Sequence, residues 1–448
     1  CTLIFRYLSK KNMSSNKKLF IQTIGCQMND TDSQHIASEL EKHKNYTQTD
    51  KIEDADLIII NTCSVREKPV SKLFSEIGQF NKKKKVGAKI GVCGCTASHL
   101  GHDIIKRAPY VDFVVGARNI SKIKDVVDIK GSVEVSIDND ESTYEFATAK
   151  TNQYRASVNI SVGCDKKCTY CIVPSTRGEE ISIPPEMIVE QVKKSVEQGA
   201  VEVMLLGQNV NSYGKNFSDG RGKYTFTNLL QDVSKVEGLE RIRFTSPHPL
   251  HMDDEFIEEF AKNDKISKCI HMPLQSGSTE ILRAMKRGYT KEWFLNRAAK
   301  LRALVPNLRI TTDIIVAFPG ETQKDFEDTL DVVNQVKFDQ IFNFKYSPRP
   351  GTEALNFADK EIPDEIGSAR LIELIELHKR HLEDTMPSYV GKTLNVLVES
   401  LKPNGEVCGF TDSYLQVFTK GSDELLGKFV DVKIIESSRT SLKGEIIL

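Results

Sequence analysis

The feature that most constrains this chain is an alternation that fills most of its length: short apolar runs, each followed by a stretch of helical periodicity. Near the start, residues 18–25, 56–62 and 89–92 read as buried strands, with helical periodicity over 31–43 and 65–80. A fourth apolar run, 111–115, ends at Gly116. This repetition predicts an open parallel α/β sheet with helices on its faces. A longer series begins at Ser157, with strands at 157–162, 202–206, 241–245, 269–274, 309–318 and 340–346. Helical stretches at 185–198, 227–236, 253–262, 279–286, 291–304 and 322–336 separate them, and another at 364–384 closes the unit. Six such units predict a (β/α)6 partial barrel, or part of a complete one, with its chemistry at the strand C-terminal ends. The last stretch changes character: 394–399, 406–411, 415–419, 429–436 and 442–448 are short strands between turns, as in a small OB-like β-barrel. The expected division is an α/β multidomain chain: 1–17 an upstream or disordered extension, 18–135 the open sheet, 136–152 a polar linker, 153–386 the barrel and 387–448 the small β-barrel.

Composition narrows the function. Lys+Arg (61) nearly cancels Asp+Glu (62), which excludes a wholesale polybasic coat for nucleic acid but not a local basic stripe. No apolar run approaches the roughly 18 residues of a membrane span, so the sequence predicts a soluble, cytoplasmic chain with no membrane partner. The lysine run 82–85 reads as a solvated helix end. The chain opens at Cys1; Met13 is the more natural start, and the apolar stretch 3–8 is too short for a signal peptide. No G-x-x-x-x-G-K-[ST], G-x-G-x-x-G or H-E-x-x-H sequence supports nucleotide hydrolysis, dinucleotide redox or zinc proteolysis.

The ten cysteines are the compositional oddity. Too sparse for a disulfide scaffold in so long a chain, they cluster beside glycines, as metal ligands in a reducing compartment do. The first barrel strand runs into Gly163-Cys164-Asp165-Lys166-Lys167-Cys168-Thr169-Tyr170-Cys171. Three thiolates on one short loop cannot all be packing residues; they suit a soft metal or an iron–sulfur cluster. Structural zinc takes four ligands, and no fourth Cys or His lies near. On a four-iron cluster three ligands leave one iron open, as a catalytic site requires. Cys26, Cys63 and Cys95 each follow a strand of the first region. Parallel strands end on one edge, so these three are expected to converge on a second site with a vacant position. Buried structural thiols are the bland alternative. Cys93 competes with Cys95; Gly94-Cys95 is nearer the turn and is preferred. Cys269 and Cys408 lie in apolar strands and read as packing residues.

The cysteine triplet after the first strand of a (β/α) barrel resembles the radical S-adenosylmethionine superfamily. The resemblance implies that the open iron chelates the methionine part of S-adenosyl-L-methionine, which an electron then cleaves to a 5′-deoxyadenosyl radical. It also makes Tyr170 a contact for the cofactor's adenine, with a core aromatic as the alternative. Two three-cysteine sites, an α/β domain before the barrel and a TRAM-like domain after it resemble the methylthiotransferase family over nearly the whole chain, from about residue 18. Residues 171–180 (CIVPSTRGEE), 206–213 (LGQNVNSY), 243–249 (RFTSPHP) and 273–278 (PLQSGS) look most like the members that act on tRNA carrying isopentenyladenosine next to the anticodon. Gly207-Gln208-Asn209 best separates them from sisters that modify a ribosomal-protein aspartate or threonylcarbamoyladenosine in tRNA.

The resemblance implies two 4Fe-4S clusters. One is held by Cys164, Cys168 and Cys171, which carry the radical chemistry, and an auxiliary one by Cys26, Cys63 and Cys95. It further implies an electron donor such as flavodoxin or ferredoxin, and a sulfur donor. The reaction replaces an adenine C2–H with C2–SCH3. That hydrogen is not usefully acidic, so a carbon radical rather than a base has to remove it. The vacant auxiliary iron is expected to hold the sulfur, with the cofactor serving both as methyl donor and as radical source. Strand-end residues are expected to orient cofactor and base: Gln208, Asn209, Ser246, Gln275 and Gly320, with His248 and Ser276 beside them. His248, between two prolines, reads as structural, and Asp313 as satisfying core polar groups. The C-terminal barrel is expected to grip RNA, although 387–448 carries seven basic residues against eight acids, a poor footprint for phosphate. A structural cap is the other reading of it. The rival from another class is a non-enzymatic RNA module with zinc at both sites.

Overall fold

The computed structural model describes residues 16–64, 67–137, 149–150, 154–217 and 223–447. Of the expected extension, 1–15 lie outside the described residues, while Lys17 already opens the first strand.

The first unit is a six-stranded sheet, all parallel, in the order Tyr46–Gln48, Lys17–Ile24, Leu57–Thr62, Lys89–Gly94, Phe113–Gly116, Ser132–Glu134. Leu57-Ile58-Ile59-Ile60 is buried throughout because both faces of the sheet are covered. Leu57 and Ile59 join Leu19, Ile36, Leu40 and Phe113 on one face, and Ile58 and Ile60 join Leu73, Ile77 and Ile104 on the other. The two outermost strands, three residues each, had no legible sequence period. The strand order reverses between Lys17–Ile24 and Leu57–Thr62, which makes their C-terminal ends a topological switch point where ligands bind in open α/β sheets.

The barrel's six strands appear where expected: Arg155–Asn159, Glu202–Leu206, Arg241–Phe244, Cys269–His271, Arg309–Val316 and Gln340–Lys345. Neighbours are parallel, and the two half-sheets meet through a parallel bridge between Ile242 and Ile266. Part of the expected linker is itself structured, because Ala149–Lys150 pairs antiparallel with the first barrel strand; residues 138–148 and 151–152 lie outside the described residues. Outward positions such as Val158, Val203, Ile242, Ile270 and Ile314 pack under the helices in one core. Alternate positions point inward and are polar: Ser157, Asn159, Arg243, His271, Thr311 and Asp313. This parity corrects one expectation: Cys269 shares the inner face with His271 rather than packing in the apolar core. Asp313 also faces the lumen, where it satisfies a polar partner as expected, its Oδ2 3.2 Å from His271 Nε2.

The C-terminal unit is a closed five-stranded barrel. Its core (Val396, Val417, Val432, Ile434, Leu442) also takes Leu382 and Met386 from the end of the helix Asp364–Thr385 and the turn after it. A turn of this small barrel plugs the N-terminal mouth of the central one. Arg241 Nη1 donates to the carbonyls of Phe410 (3.2 Å) and Thr411 (3.3 Å), Arg243 Nη2 to Thr411 O (2.8 Å) and Arg309 Nη1 to Ser413 O (3.1 Å). Glu202, fully buried below them, lies 3.0 Å from Arg243, 3.3 Å from Arg241 and 3.7 Å from Arg155. Only the C-terminal mouth is left for chemistry, and there the first unit sits.

Candidate active site

Cys26 stands at the N-terminus of the helix Gln27–Lys44, Cys63 directly follows Leu57–Thr62, and Cys95 opens the helix Cys95–Leu100. The sheet edge brings them together. Cys63 N–H donates to Ile24 O at the neighbouring strand end (3.0 Å). The Cys63 thiol hydrogen-bonds Cys26 and, aided by Arg177 and opposed by burial, lowers the Cys26 thiol to about 6. Gly94, at φ +93°, makes the approach possible: a Cβ there would stand 2.2 Å from Asn61 Oδ1. Asn61 in turn braces the helix start, donating to Asn29 O (2.8 Å) and Ser33 Oγ (2.9 Å). Cys95 Sγ accepts from Arg177 Nε at 3.1 Å, and Arg177 Nη2 reaches Asp32 Oδ2 at 2.6 Å. Cys93, by contrast, is wholly buried in the sheet's core, where burial pushes its thiol up.

The barrel trio sits on the loop after Gly163. Gly163 is at φ +88°, and a Cβ there would meet Glu179 O at 2.0 Å. Cys164 N–H donates to Gly178 O (3.1 Å) and Cys171 N–H to Cys168 O (3.0 Å). Burial pushes Cys164 to about 11 and Cys171 to about 12, so a metal centre has to displace thiol protons here. Arg287, buried, donates from Nη1 to Cys168 Sγ (3.3 Å), from Nε to Tyr289 Oη (3.2 Å) and from Nη2 to Pro273 O (3.3 Å). Among the described residues no carboxylate lies within ion-pair distance of it. A buried guanidinium so placed is stabilised by negative charge on the thiolates themselves.

The loop that carries one trio meets the helix that begins at the other, at the boundary between sheet and barrel. Gln208 ties them, its Oε1 accepting from Gly163 N–H and its Nε2 donating to Met28 Sδ, two residues beyond Cys26. Thr31 Oγ1 donates to Asn159 Oδ1 (3.4 Å). Around this boundary Thr62 Oγ1, Ser64 Oγ, Thr96 Oγ1, Asn159 Nδ2, Ser161 Oγ and Asn209 Oδ1 are buried without a hydrogen-bond partner. Three soft sulfur donors per site, beside orphaned polar atoms and a buried cation, fit an iron–sulfur cluster. No three His, Cys, Asp or Glu side chains among the described residues converge as a single metal ion requires. A four-iron cube binds each thiolate at a separate iron, so its ligand sulfurs stand farther apart than those around one ion.

The remaining strand-end residues divide. Asn209, with its orphaned Oδ1, lies at the mouth. Ser246 (φ 55°) and Gln275 (φ 69°) hold left-handed backbone at the ends of the third and fourth strands. Tyr170 packs with Ile281, Met285, Phe318 and Ala354 next to Cys171. Ser276 Oγ accepts from Ser278 N–H (3.2 Å). Gly320 is turned away: its N–H donates to Lys360 O (2.8 Å), and a Cβ would point at the Lys360 side chain. His248 caps a short helical turn, Nδ1 accepting from Leu250 N–H (3.2 Å), and burial lowers its basicity. Sequence reasoning missed the roles of Asp32, Arg177, Arg287 and His271. A lone Arg six positions after Cys171 was a signal for Arg177; Arg287, over a hundred residues away, had none.

Three family models match: one described as uncharacterized protein family UPF0004 over residues 18–116, the radical SAM superfamily over 158–333, and the TRAM domain over 387–447. The tRNA-2-methylthio-N(6)-dimethylallyladenosine synthase of Aliarcobacter butzleri (strain RM4018) is 87% identical over 97% of this chain and 100% of that protein. The protein of the same name from a Nitratiruptor species is 61% identical over 96% of this chain and 99% of that protein. Among solved structures, the radical S-adenosylmethionine methyltransferase TsrM from Kitasatospora setae, with cobalamin and a [4Fe-4S] cluster bound, gives a TM-score of 0.57. It is 13% identical over 76% of this chain and 77% of that one, a likeness of fold alone.

Proposed function

The chain belongs to the family of tRNA-2-methylthio-N(6)-dimethylallyladenosine synthases, and from that premise we infer how its own residues carry out the reaction. It is a tRNA methylthiotransferase of the radical SAM superfamily, working with S-adenosyl-L-methionine and 4Fe-4S clusters. Its substrate is tRNA carrying N(6)-isopentenyladenosine next to the anticodon, at whose C2 it replaces hydrogen with a methylthio group. Held at the two trios, these groups supply the one-electron chemistry that removes the C2 hydrogen, and the sulfur and methyl that take its place.

The chain's part is to hold and orient. Cys164, Cys168 and Cys171 bind one cluster, with Arg287 balancing their charge; Cys26, Cys63 and Cys95 bind the other. Gln208 fixes the first trio's loop against the helix that begins at the second. Tyr170, next to Cys171, would contact the cofactor's adenine, and Asn209, Ser246 and Gln275 would line the mouth where cofactor and substrate base meet. Gly320, turned toward Lys360, contributes backbone shape rather than a donor. The N-terminal unit over the mouth keeps water from the reacting carbon. A flavodoxin- or ferredoxin-like protein supplies electrons and a separate donor replenishes sulfur. No helix among the described residues is long and apolar enough to cross a membrane, and the enzyme works in the cytoplasm beside its tRNA substrate.

The observation that most supports this reading is that Gln208 and Arg177 link the segments bearing the two thiol trios. Mass spectrometry of tRNA nucleosides tests it, with the chain expressed in cells lacking their own such enzyme. The methylthiolated nucleoside is expected with the wild-type chain. Cys63→Ala is expected to cleave S-adenosylmethionine reductively yet make no methylthio product, whereas Cys168→Ala is expected to do neither. Product from Cys63→Ala would remove the N-terminal trio from sulfur delivery.

A further inference from the structure

The barrel sends one side chain into the other unit's site. Arg177 ends the short helix Val173–Arg177, just after the barrel's own trio, yet its guanidinium lies beside Cys95. It is buried (3% exposed), as is its partner Asp32 (1%). One edge of the guanidinium meets the carboxylate at 2.6 Å, and Nε donates to Cys95 Sγ at 3.1 Å. The carboxylate alone would satisfy the charge; the second bond aims the guanidinium at sulfur.

We propose that Arg177 is a positioning residue for the N-terminal trio, holding the Cys95 sulfur by a charge-assisted hydrogen bond and raising the reduction potential of the cluster bound there. The proposal rests on the cluster assignment made under the proposed function. Hydrogen bonds to cluster sulfurs and nearby net charge are the protein's levers on potential. A donor and a positive charge beside a ligand sulfur stabilise the electron-richer, reduced cluster. Asp32 works against this by cancelling part of the charge. The two residues therefore carry opposite signs, which a purely architectural ion pair does not.

The test uses the full chain with Cys164, Cys168 and Cys171 all replaced by Ala, so that only the N-terminal site is loaded, followed by anaerobic reconstitution, iron analysis and an EPR-monitored redox titration. Arg177→Gln is expected to move the midpoint negative by the equivalent of a tenfold change in the reduced-to-oxidised ratio, about 59 mV for one electron. Arg177→Lys, which keeps a cation should the Gln variant disturb the boundary, is expected to recover most of the shift. Asp32→Asn is expected to move the midpoint positive. Unmoved midpoints, or Gln and Asn variants shifting in the same direction, overturn the proposal. A parent chain that takes up no iron overturns the cluster assignment itself.

Discussion

At the N-terminal mouth of the central barrel, Glu202 lies fully buried among Arg155, Arg241 and Arg243, and the turn Phe410–Tyr414 caps them with carbonyls and rings. At the C-terminal mouth, buried hydroxyl and amide atoms go without partners, and Ser246, Gln275 and Ala317 hold left-handed backbone at successive strand ends. Each such non-glycine residue costs about 1–2 kcal/mol, and each buried unmade hydrogen bond about 1–3 kcal/mol. One end of the barrel, its floor, is therefore knit by ion pairs and bonds to a second unit, with Tyr414 its left-handed residue, and the other carries more of the strain and the unmet hydroxyl and amide groups. Strained, under-bonded backbone persists only where the surroundings over-determine it, and it clusters where ligands act. The floor supplies that over-determination, which makes the C-terminal unit a structural partner of the barrel, whatever grip on RNA it adds.

The largest expected effect breaks the floor. Glu202→Gln leaves three guanidinium groups with one fewer counter-charge, and loss of one partner from a buried ionic group costs about 3–5 kcal/mol. Thermal unfolding is expected to fall accordingly, with protease cutting first near 386–393, where the small barrel joins. The counterpart at the mouth, Asn209→Ala, removes an amide oxygen that has no partner and is expected to change stability by less than about 1 kcal/mol. Equal effects at both ends would erase the contrast.

Much of this contrast was only half legible beforehand. The six barrel strands and the five of the small barrel could be read because apolar alternation is strong where one face is buried and the other is not. The thiol positions were readable because parallel strands end on one edge, a topological fact that needs no contact map. Gln208 was readable as a strand-end residue, but its partners, Gly163 N–H and Met28 Sδ, lie 45 and 180 residues away. Arg177 with Asp32 (145 apart) and Arg287 with Cys168 (119 apart) are hidden for the same reason. The floor left a trace that went unused: Arg155, Glu202, Arg241 and Arg309 are the first residues of their strands. In the small barrel two of the eight acids are engaged in docking, Glu399 with Arg155 (2.9 Å) and Asp412 with Lys268 N–H (3.1 Å), pairings that a count of charges does not show.

Acid should separate the two ends by a smaller margin. Burial, then Lys166 and Lys215, pulls His251 at the mouth down to about 4, so the folded chain keeps this imidazole neutral. An opened mouth takes up its proton near the ordinary value of about 6.5. Stability there is complete above that pH and is lost as pH falls toward 4, because the open state binds more protons across the window. A shift of this size is worth about 3 kcal/mol in full and on the order of 1–2 kcal/mol after allowing for partial exposure. On the floor, burial raises Glu399 despite Arg155, so acid favours the folded form instead. Hydrogen exchange between pH 7 and pH 5, corrected for intrinsic rate, is expected to quicken at 246–252 and not at 410–414. Equal quickening would show that the mouth is no looser than the floor.

The smallest effect is the sharpest test of what strain is for. Ser246 (φ 55°) and Tyr414 (φ 64°) share the left-handed region, one at each end. Glycine at either removes about 1–2 kcal/mol of steric cost and adds about 0.5–1 kcal/mol of chain entropy. Ser246→Gly is thus expected to raise the unfolding temperature slightly, a gain under about 1 kcal/mol. Tyr414→Gly gains the same backbone relief but loses a ring 4.5 Å from the Arg243 guanidinium and 4.9 Å from Phe410. Those contacts are worth about 0.5–2 kcal/mol each, so a net loss on the order of 1 kcal/mol is expected. Opposite signs from one backbone conformation would mean that the floor offsets its strain with contacts made in the chain itself. The mouth's strain would then have no such compensation within the chain and would be left for cofactor and base to offset.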